Sequence, residues 1–393
     1  MKDTVLIKNV LHKGRKVNVL VEGNRFKDFD APADSLAQKV VEADGKAILP
    51  PFFNTHTHAA MSLLRGYADD MPLFKWLSEY IWPFEEKMTS QDIYDGSKLA
   101  VKEMVKSGSV FFNDMYFDIE QTIKAVDEAG IRAALGVTFV GSHSKSQQAD
   151  KLNMLRHWSD PTGGRIQLTV APHAVYTVTP ELFKKCAEVS REMNLKLHVH
   201  LSETAKEVED CVRENGMTPV RYLDSLGVLA PNVIAAHVVH VDREEMDILA
   251  ERGVTISHCP CSNMKLASGI FPAKQLMEAG CKITIGTDGD SSNNNQDMRE
   301  EMKFAALLAK VSSGDPETLP AEEALRWATE AGAMAFDIDS GVLEAGKLAD
   351  CILVNLDDER MQPCHHLVSN WVYSADTSAI DLVMCDGKVI YTR

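Results

Sequence analysis

The chain has 393 residues, of which 45% are hydrophobic and 25% are charged, as is typical of a soluble globular protein with more than one core. Its formal net charge of -16 repels a phosphate backbone, so we expect no nucleic-acid partner. The sequence has no apolar run of membrane-spanning length, no signal-peptide pattern and only scattered cysteines, so we expect a reduced, cytoplasmic protein that does not bind membranes.

Both ends of the chain predict short β-strands. At the N-terminal end, glycines separate three such segments, at residues 4–10, 17–22 and 47–53. The C-terminal end contains similar segments, at residues 351–356, 382–387 and 388–393. Because the termini of a compact protein often lie close together, we expect residues 1–50 and 341–393 to form one small β-sandwich domain.

The middle of the chain, residues 51–340, alternates between two patterns. Short apolar, β-branched runs occur at residues 50–58, 109–117, 132–140, 165–174, 196–203, 233–241, 254–261 and 282–289. Helical patterns with apolar residues at i, i+3 and i+4 lie between most of them, for example at residues 92–106, 119–129, 180–193 and 243–252. This alternation predicts an α/β fold, a (β/α)8 TIM barrel. A doubly wound open sheet is the alternative, but the sequence lacks the glycine-rich phosphate loop that such a sheet usually carries.

Polar side chains converge on one end of the predicted strands. Those at or near the C-terminal end of a strand are His56, His58, His173, His200, His237 and Asp288. That end of a barrel carries the active site, and burying so many polar groups unpaired would be costly. His56 and His58 stand two residues apart on a strand, so both imidazoles face one side, which suits a metal but also suits two ordinary buried histidines.

Motifs in a fixed order resemble the amidohydrolase superfamily. They are Thr55-His56-Thr57-His58, His198-Val-His200-Leu-Ser-Glu203, His237-Val-Val-His240 and Gly286-Thr287-Asp288-Gly289. Further segments resemble the branch of chlorohydrolases and 5-methylthioadenosine/S-adenosylhomocysteine deaminases, namely those at residues 61–66, 76–77, 83–85, 257–266 and 291–294. Residues 346–350 and 383–388 resemble the C-terminal part of that family's small sheet domain, so the resemblance covers nearly the whole chain.

The resemblance implies a metal-dependent hydrolase in which metal-bound hydroxide attacks a ring carbon and ammonia leaves. It implies one divalent metal ion, Zn²⁺ with Fe²⁺ as the alternative, whose ligands are His56, His58, His200 and Asp288. One metal is expected because the fourth strand ends at His173 without the lysine that bridges the ions of two-metal relatives. Spacing alone does not separate His200 from His198, or His237 from His240; the resemblance does, and we interpret His198 as a packed, hydrogen-bonded core residue.

Catalytic roles follow from the same resemblance. Glu203 would bind the substrate and carry protons to a ring nitrogen and to the leaving amine, and the alternative is a solvated carboxylate at a helix start. His237 would hydrogen-bond the attacking water and Asp288 would take its proton.

Substrate contacts are implied for three further residues. Trp76 would stack on the base or its 5′ substituent, Glu85 would accept hydrogen bonds from two ribose hydroxyls, and His173 would contact the ribose or the base. On sequence alone, a core aromatic explains Trp76 equally well and a surface charge is the alternative for Glu85.

The small-molecule substrate is expected to lack a carboxylate tail. Homologues that accept S-adenosylhomocysteine usually carry arginines after the third strand, and this chain has none between Arg132 and Arg156. We therefore expect adenosine, 5′-deoxyadenosine or 5′-methylthioadenosine above S-adenosylhomocysteine. A guanine, pterin or s-triazine substrate is the alternative, and it would not need Glu85. A non-catalytic protein would have lost metal ligands that this chain keeps. Barrels of this group often pair, so a homo-oligomer is expected.

Overall fold

The structure is a computed structural model that describes residues 3–393. The chain begins with five strands, β1 (Thr4–His12), β2 (Arg15–Glu22), β3 (Arg25–Asp28), β4 (Lys39–Glu42) and β5 (Lys46–Leu49). In β2 the buried residues alternate with more exposed ones, and Val17, Val19 and Val21 face the core. Such alternation is the pattern of a strand with one face buried.

The barrel follows as eight parallel strands, β6 (Phe52–Thr57), β7 (Ser109–Tyr116), β8 (Arg132–Phe139), β9 (Ile166–Pro172), β10 (Lys196–Leu201), β11 (Val233–His237), β12 (Thr255–His258) and β13 (Lys282–Ile285). Strands that are neighbours in the chain are neighbours in this sheet, and a parallel bridge from Thr57 to Asp288 joins its two edges. β6, β7 and β8 are buried along their whole length, as expected for parallel strands covered on both faces. The predicted (β/α)8 barrel is confirmed.

Helices alternate with these strands. They are α1 (Leu73–Trp76), α2 (Trp82–Glu85), α3 (Ser90–Lys106), α4 (Ile119–Ala129), α5 (Lys145–Arg156), α6 (Pro180–Glu192), α7 (Ala205–Asn215), α8 (Pro219–Ser225), α9 (Arg243–Glu251), α10 (Pro260–Lys265), α11 (Ala273–Glu278), α12 (Met298–Ser313), α13 (Ala321–Ala328), α14 (Glu330–Ala335) and α15 (Leu367–Tyr373). Local sequence sets their ends: Thr89 and Asp92 form a capping box at the start of α3, and Gly130 ends α4 with a φ of 75°. A π-helix at Leu77–Ile81 separates α1 from α2. Within residues 3–393, none of the helices has the length and apolar character that a membrane crossing requires.

The last strands, β14 (Cys351–Asn355), β15 (Ile380–Cys385) and β16 (Lys388–Thr392), return to the N-terminal strands. The sheet order is β16-β15-β14-β5-β1-β2-β3, with β4 paired to β1. Both termini therefore build one mixed sheet separate from the barrel, as predicted. The boundaries 1–50, 51–340 and 341–393 stay a prediction, although every strand of this sheet falls within the two terminal segments.

A buried polar contact joins this sheet to the barrel. Arg132, the first residue of β8, donates from Nη1 to Asp350 Oδ1 at 2.6 Å and from Nη2 to Asp386 Oδ1 at 2.7 Å. Ser340 donates to the second oxygen of Asp350 at 2.6 Å. We call Arg132, Ser340, Asp350 and Asp386 the interface cluster.

Candidate active site

Strand β6 brings His56 and His58 to the C-terminal end of the barrel. The threonines that precede each histidine bond to neighbouring elements: Thr55 Oγ1 lies 2.6 Å from Ser257 Oγ, and Thr57 Oγ1 donates to Asp114 at 3.0 Å. On the other side, a Cβ at Gly286 would come within 2.8 Å of the backbone nitrogen of His56. Only glycine fits there, so β13 packs closely enough to bring Asp288 beside β6.

The candidate ligand atoms meet in one place. Asp288 Oδ1 lies 3.4 Å from His56 Nε2 and 3.2 Å from His58 Nε2. His200 Nε2 lies 3.2 Å from His58 Nε2. His56, His200 and His237 also offer nitrogen atoms within 4.8 Å of one another. The structure thus brings together the four predicted ligands with His237, and we call these five residues the rim cluster.

Hydrogen bonds orient two of these imidazoles for a cation. Nδ1 of His58 donates to the Met115 carbonyl at 2.7 Å, and Nδ1 of His200 donates to the His173 carbonyl at 2.8 Å. Since a carbonyl only accepts, each Nδ1 carries hydrogen and each Nε2 points into the cluster. Two bare nitrogens at 3.2 Å repel each other unless positive charge lies between them.

Burial and charge favour the same conclusion. Burial lowers the pKa of His56 to about 4 and that of His200 well below its usual value, so both rings are neutral at pH 7 and able to bind a metal. His56 Nε2 is buried without a hydrogen-bond partner among the described residues. Burial alone would lower the pKa of His58, but hydrogen bonding to Asp288 raises it to about 9. The cluster therefore attracts a positive charge, and its nitrogen and oxygen donors fit Zn²⁺ or Fe²⁺.

Asp288 is held as an anion whose Oδ1 faces His56 and His58. Ser262 and Ser292 donate to its Oδ2 at 2.6 and 3.1 Å, and the Gly289 amide donates to its Oδ1 at 2.8 Å. Burial alone would raise the pKa of this carboxyl, yet the neighbouring imidazoles of His56 and His58 hold it well below its usual value. Asp288 has a left-handed φ of 64°, fixed by a bond from its amide to the His56 carbonyl at 2.9 Å.

His237, the fifth member of the rim cluster, and Glu203 lie beside the four predicted ligands. Nδ1 of His237 bonds to Asn263 Oδ1 at 2.8 Å, so its Nε2 faces the site, 3.8 Å from Glu203 Oε2 and 4.0 Å from Asp288 Oδ2. Glu203 is only 5% exposed, which contradicts the alternative of a solvated helix-start carboxylate. Burial raises the pKa of its carboxyl, the direction that favours a group that donates a proton.

A cavity of about 590 Å³ opens onto the rim cluster. His58, His200, His237, Asp288 and Glu203 line its polar end, and its apolar wall includes Leu73, Trp76, Leu77, Tyr116 and Tyr176. Trp76 ends α1 and is 5% exposed, so it belongs to both the cavity wall and a packed core.

Glu85 and His173 line the same cavity. Glu85 Oε1 is buried without a hydrogen-bond partner among residues 3–393, and burial raises the pKa of the carboxyl. His173 Nδ1 bonds to Thr177 Oγ1 at 2.9 Å, and burial lowers the pKa of its ring to about 3. The alternative interpretation of Glu85 as a surface charge is wrong for its Oε1 atom, which is buried.

Several contacts in the candidate site were not predicted from the sequence. Ser262, Asn263 and Ser292 lie within motifs that the sequence marked, so a signal existed, but the pattern did not say which of them touches Asp288 or His237. Tyr116 also lines the cavity. The sequence did not predict this, because Tyr116 cannot be distinguished there from the other apolar residues of β7. His198 lies behind the cluster, with Nε2 2.8 Å from His56 Nδ1, in agreement with a packed, hydrogen-bonded core residue.

The chain is similar to known proteins along most of its length. The model of the amidohydrolase family matches residues 47–390. The chain belongs to the amidohydrolase family. It is 48% identical over 356 residues to the 5-methylthioadenosine/S-adenosylhomocysteine deaminase of Pelotomaculum thermopropionicum, covering 90% of this chain and 82% of that relative. It is 43% identical over 395 residues to the 5′-deoxyadenosine deaminase of Methanosphaera stadtmanae, covering 99% and 92%.

Among solved structures, an adenosine deaminase from Xanthomonas campestris with bound zinc superposes with a TM-score of 0.93 at 34% identity, covering 99% of this chain and 92% of that one. These comparisons confirm the predicted family and branch. The amidohydrolase is therefore an enzyme, a hydrolase of carbon–nitrogen bonds, and the metal dependence of its superfamily agrees with the rim cluster.

Proposed function

We propose that this amidohydrolase is a zinc-dependent hydrolytic deaminase of adenine nucleosides with a small or apolar 5′ group. The observation that carries the proposal is one cavity lined by a metal-binding cluster, a buried acid at Glu203 and a carboxylate oxygen of Glu85 that has no partner of its own. Relatives at 43% and 48% identity are named as a 5′-deoxyadenosine deaminase and as a 5-methylthioadenosine/S-adenosylhomocysteine deaminase.

His56, His58, His200 and Asp288 would hold the metal, and zinc is proposed because the relative from Xanthomonas campestris binds it. When bound, the ion would lower the pKa of water and supply hydroxide at neutral pH. His237 would hydrogen-bond the attacking water through Nε2, which faces Glu203 and Asp288. Asp288 would take the water's proton on the carboxylate that it keeps ionised.

Glu203 would protonate a ring nitrogen of the base and then pass a proton to the leaving amine. The raised pKa of this buried carboxyl supports that role, because the group must hold a proton before it donates one. Ser268 donates to Glu203 Oε1 at 3.4 Å, so Oε2 is the oxygen nearer the rim cluster.

The nucleoside part of the proposal depends on the outer cavity. Glu85 offers acceptor oxygens for the vicinal ribose hydroxyls, and a buried acceptor without a partner is costly unless a ligand supplies one. Trp76 would stack on the base or the 5′ group, and His173 would contact the ribose or the base.

The 5′ group is proposed to be uncharged. Within residues 3–393, no lysine or arginine lines the cavity, whereas Glu85 and Glu86 do. The amino-acid carboxylate of S-adenosylhomocysteine would enter there without a cation to pair it. We therefore place adenosine, 5′-deoxyadenosine and 5′-methylthioadenosine above S-adenosylhomocysteine.

Ammonia release tests the proposal. The zinc-loaded enzyme is assayed with these four nucleosides and with adenine, guanine, a pterin and an s-triazine. The three uncharged nucleosides should have the highest kcat/KM, with S-adenosylhomocysteine at least about tenfold lower, the effect of one unpaired charge at the cavity mouth. Turnover of guanine, the pterin or the triazine alone would reject the nucleoside assignment.

Two predictions from the sequence accompany this proposal. We propose a homo-oligomer and a cytoplasmic location for the enzyme. Val311 and Met334, which are 75% and 65% exposed, are the large apolar side chains with which an oligomer contact would be tested first. Light scattering of the purified protein at micromolar concentration measures the assembly directly.

A further inference from the structure

The proposed proton carrier Glu203 stands on a turn and not on a strand. β10 ends at Leu201, and Thr204 is the N-cap of α7. Ser202 between them has a φ of 51°, a left-handed conformation that residues other than glycine rarely adopt. Something outside the turn must therefore hold Ser202 and, with it, the direction of the Glu203 side chain.

Glu207 holds that turn from within α7. Its Oε1 accepts from the Ser202 amide at 3.0 Å and its Oε2 accepts from the Glu203 amide at 2.7 Å. The side chain is buried, with the residue 2% exposed. Each carboxylate oxygen thus bonds to one backbone N–H of the turn, an arrangement that an amide side chain cannot reproduce.

The position of Glu207 makes this use unusual. It is the third residue of α7, where a glutamate ordinarily bonds back to the N-cap amide. Glu245 does this in α9, accepting from the amide of the N-cap residue Asp242 at 2.9 Å. Glu207 reaches past its own N-cap to the two residues before it.

The same turn is tied to the loop that presents His237. The Ser202 carbonyl accepts from the amides of Val239 and His240 at 3.0 and 2.9 Å. His237 is itself left-handed, with a φ of 73°. Fixing Ser202 therefore fixes the placement of Glu203 relative to His237, whose side chains are 3.8 Å apart.

We propose that Glu207 is a positioning residue for catalysis, whose carboxylate sets the turn that aims Glu203 at the substrate. The inference rests on the proposed role of Glu203 as proton carrier. Glu207 does not touch the cavity, so its effect must pass through Glu203 and appear in the chemical step more than in substrate binding.

Glu207→Gln tests the proposal, because glutamine keeps the size of the side chain but replaces one acceptor oxygen with a donor. We expect kcat for the best nucleoside to fall about tenfold or more, while KM changes less than about threefold. In a Glu203→Gln background the same substitution should lower kcat by less than about twofold, since residues that act as a unit are not additive.

Glu245→Gln is the matched control, since Glu245 is also the third residue of its helix and 2% exposed. Its kcat should stay near the wild-type value. A wild-type kcat in Glu207→Gln, or a loss that multiplies with that of Glu203→Gln, would overturn the inference. Full activity of Glu203→Gln alone would instead reject the proposed role of Glu203. If Glu207→Gln does not fold, Glu207→Asp, which is one methylene shorter, is judged by the same two criteria.

Discussion

The rim cluster and the interface cluster are both buried and polar, but they differ in how their atoms are paired. In the interface cluster, Arg132 reaches two carboxylates and both oxygens of Asp350 accept hydrogen bonds. In the rim cluster, His56 Nε2 has no partner among the described residues, and nitrogens of His58 and His200 face each other. One cluster is complete within the chain, and the other is complete only when something else is bound.

This difference indicates what each cluster does. A buried charge pair whose hydrogen bonds are satisfied contributes mainly through the large penalty of breaking it. A buried polar atom left without a partner in a folded protein points to a ligand, an ion or a catalytic role. Substitutions at the rim cluster, and at Glu203 beside it, should therefore change activity without unfolding the protein, and substitutions at the interface cluster should do the reverse.

The largest expected effect is on catalysis at Glu203. Glu203→Gln removes the proposed proton carrier, so kcat for the best nucleoside should fall roughly 10²- to 10⁴-fold in the ammonia assay. Glu209→Gln, which removes an exposed carboxylate from α7, should leave kcat unchanged.

The thermal stability of Glu203→Gln should not fall together with its kcat. Burial raises the pKa of the Glu203 carboxyl, so the folded state binds its proton more tightly than the unfolded state, and this group lowers stability as pH rises. Glu203→Gln should thus unfold at the same or a higher temperature than wild type at pH 8. If Glu203→Gln lowered both kcat and the melting temperature, Glu203 would behave like a residue of the interface cluster. The proposed difference between the two buried clusters would then be wrong.

At the interface the effects should be reversed. Arg132→Met leaves Asp350 and Asp386 without their cation, and the free energy of unfolding should fall by about 3 kcal/mol, as for a broken buried ion pair. Denaturant unfolding measures the loss, while kcat of the folded fraction should stay within about twofold of wild type. For comparison, Lys185→Met breaks an exposed pair with Glu188 and should leave the unfolding midpoint close to that of wild type. An equal loss in both variants would show that burial of the Arg132 contact adds nothing.

A smaller effect is expected at Glu85, the residue proposed to bind the ribose. Glu85→Gln should lower kcat/KM for adenosine by about tenfold to a hundredfold, mainly through KM, because a hydrogen bond to a charged group is lost. Turnover of free adenine, which has no ribose, should not change. Glu79→Gln, an exposed carboxylate of the neighbouring π-helix, serves as control. Equal losses with adenosine and adenine would remove Glu85 from ribose recognition.

Much of the fold could be predicted because its signals are local. The barrel strands contain short apolar, β-branched runs, and helices such as α4 and α6 carry an apolar face and a capping residue or terminal glycine. β3 and β4 were not predicted, since they are four residues long and mostly exposed, without an apolar alternation. The π-helix at Leu77–Ile81 was not predicted either, because it has no distinct sequence pattern.

The site was predictable for a different reason. Ligand types stand at the ends of strands, and the barrel brings these ends together, so His56, His200 and Asp288 meet although they lie far apart in sequence. Contacts such as Arg132 with Asp350, which are separated by 218 residues, have no such rule to predict them. Likewise, no rule of sequence spacing predicts that Glu207 accepts hydrogen bonds from the amides of Ser202 and Glu203.

Measurement of metal content tests directly whether the rim cluster binds a metal ion. The protein is stripped with a chelator, dialysed against zinc, desalted and measured by mass spectrometry, with His200→Ala and Arg132→Met treated in parallel. We predict about one zinc per chain in wild type and in Arg132→Met, and a loss of most of it in His200→Ala, since one of the four proposed ligands is gone. Wild-type protein that retains no metal, or His200→Ala that retains as much as wild type, would contradict the assignment of the rim cluster as a metal site.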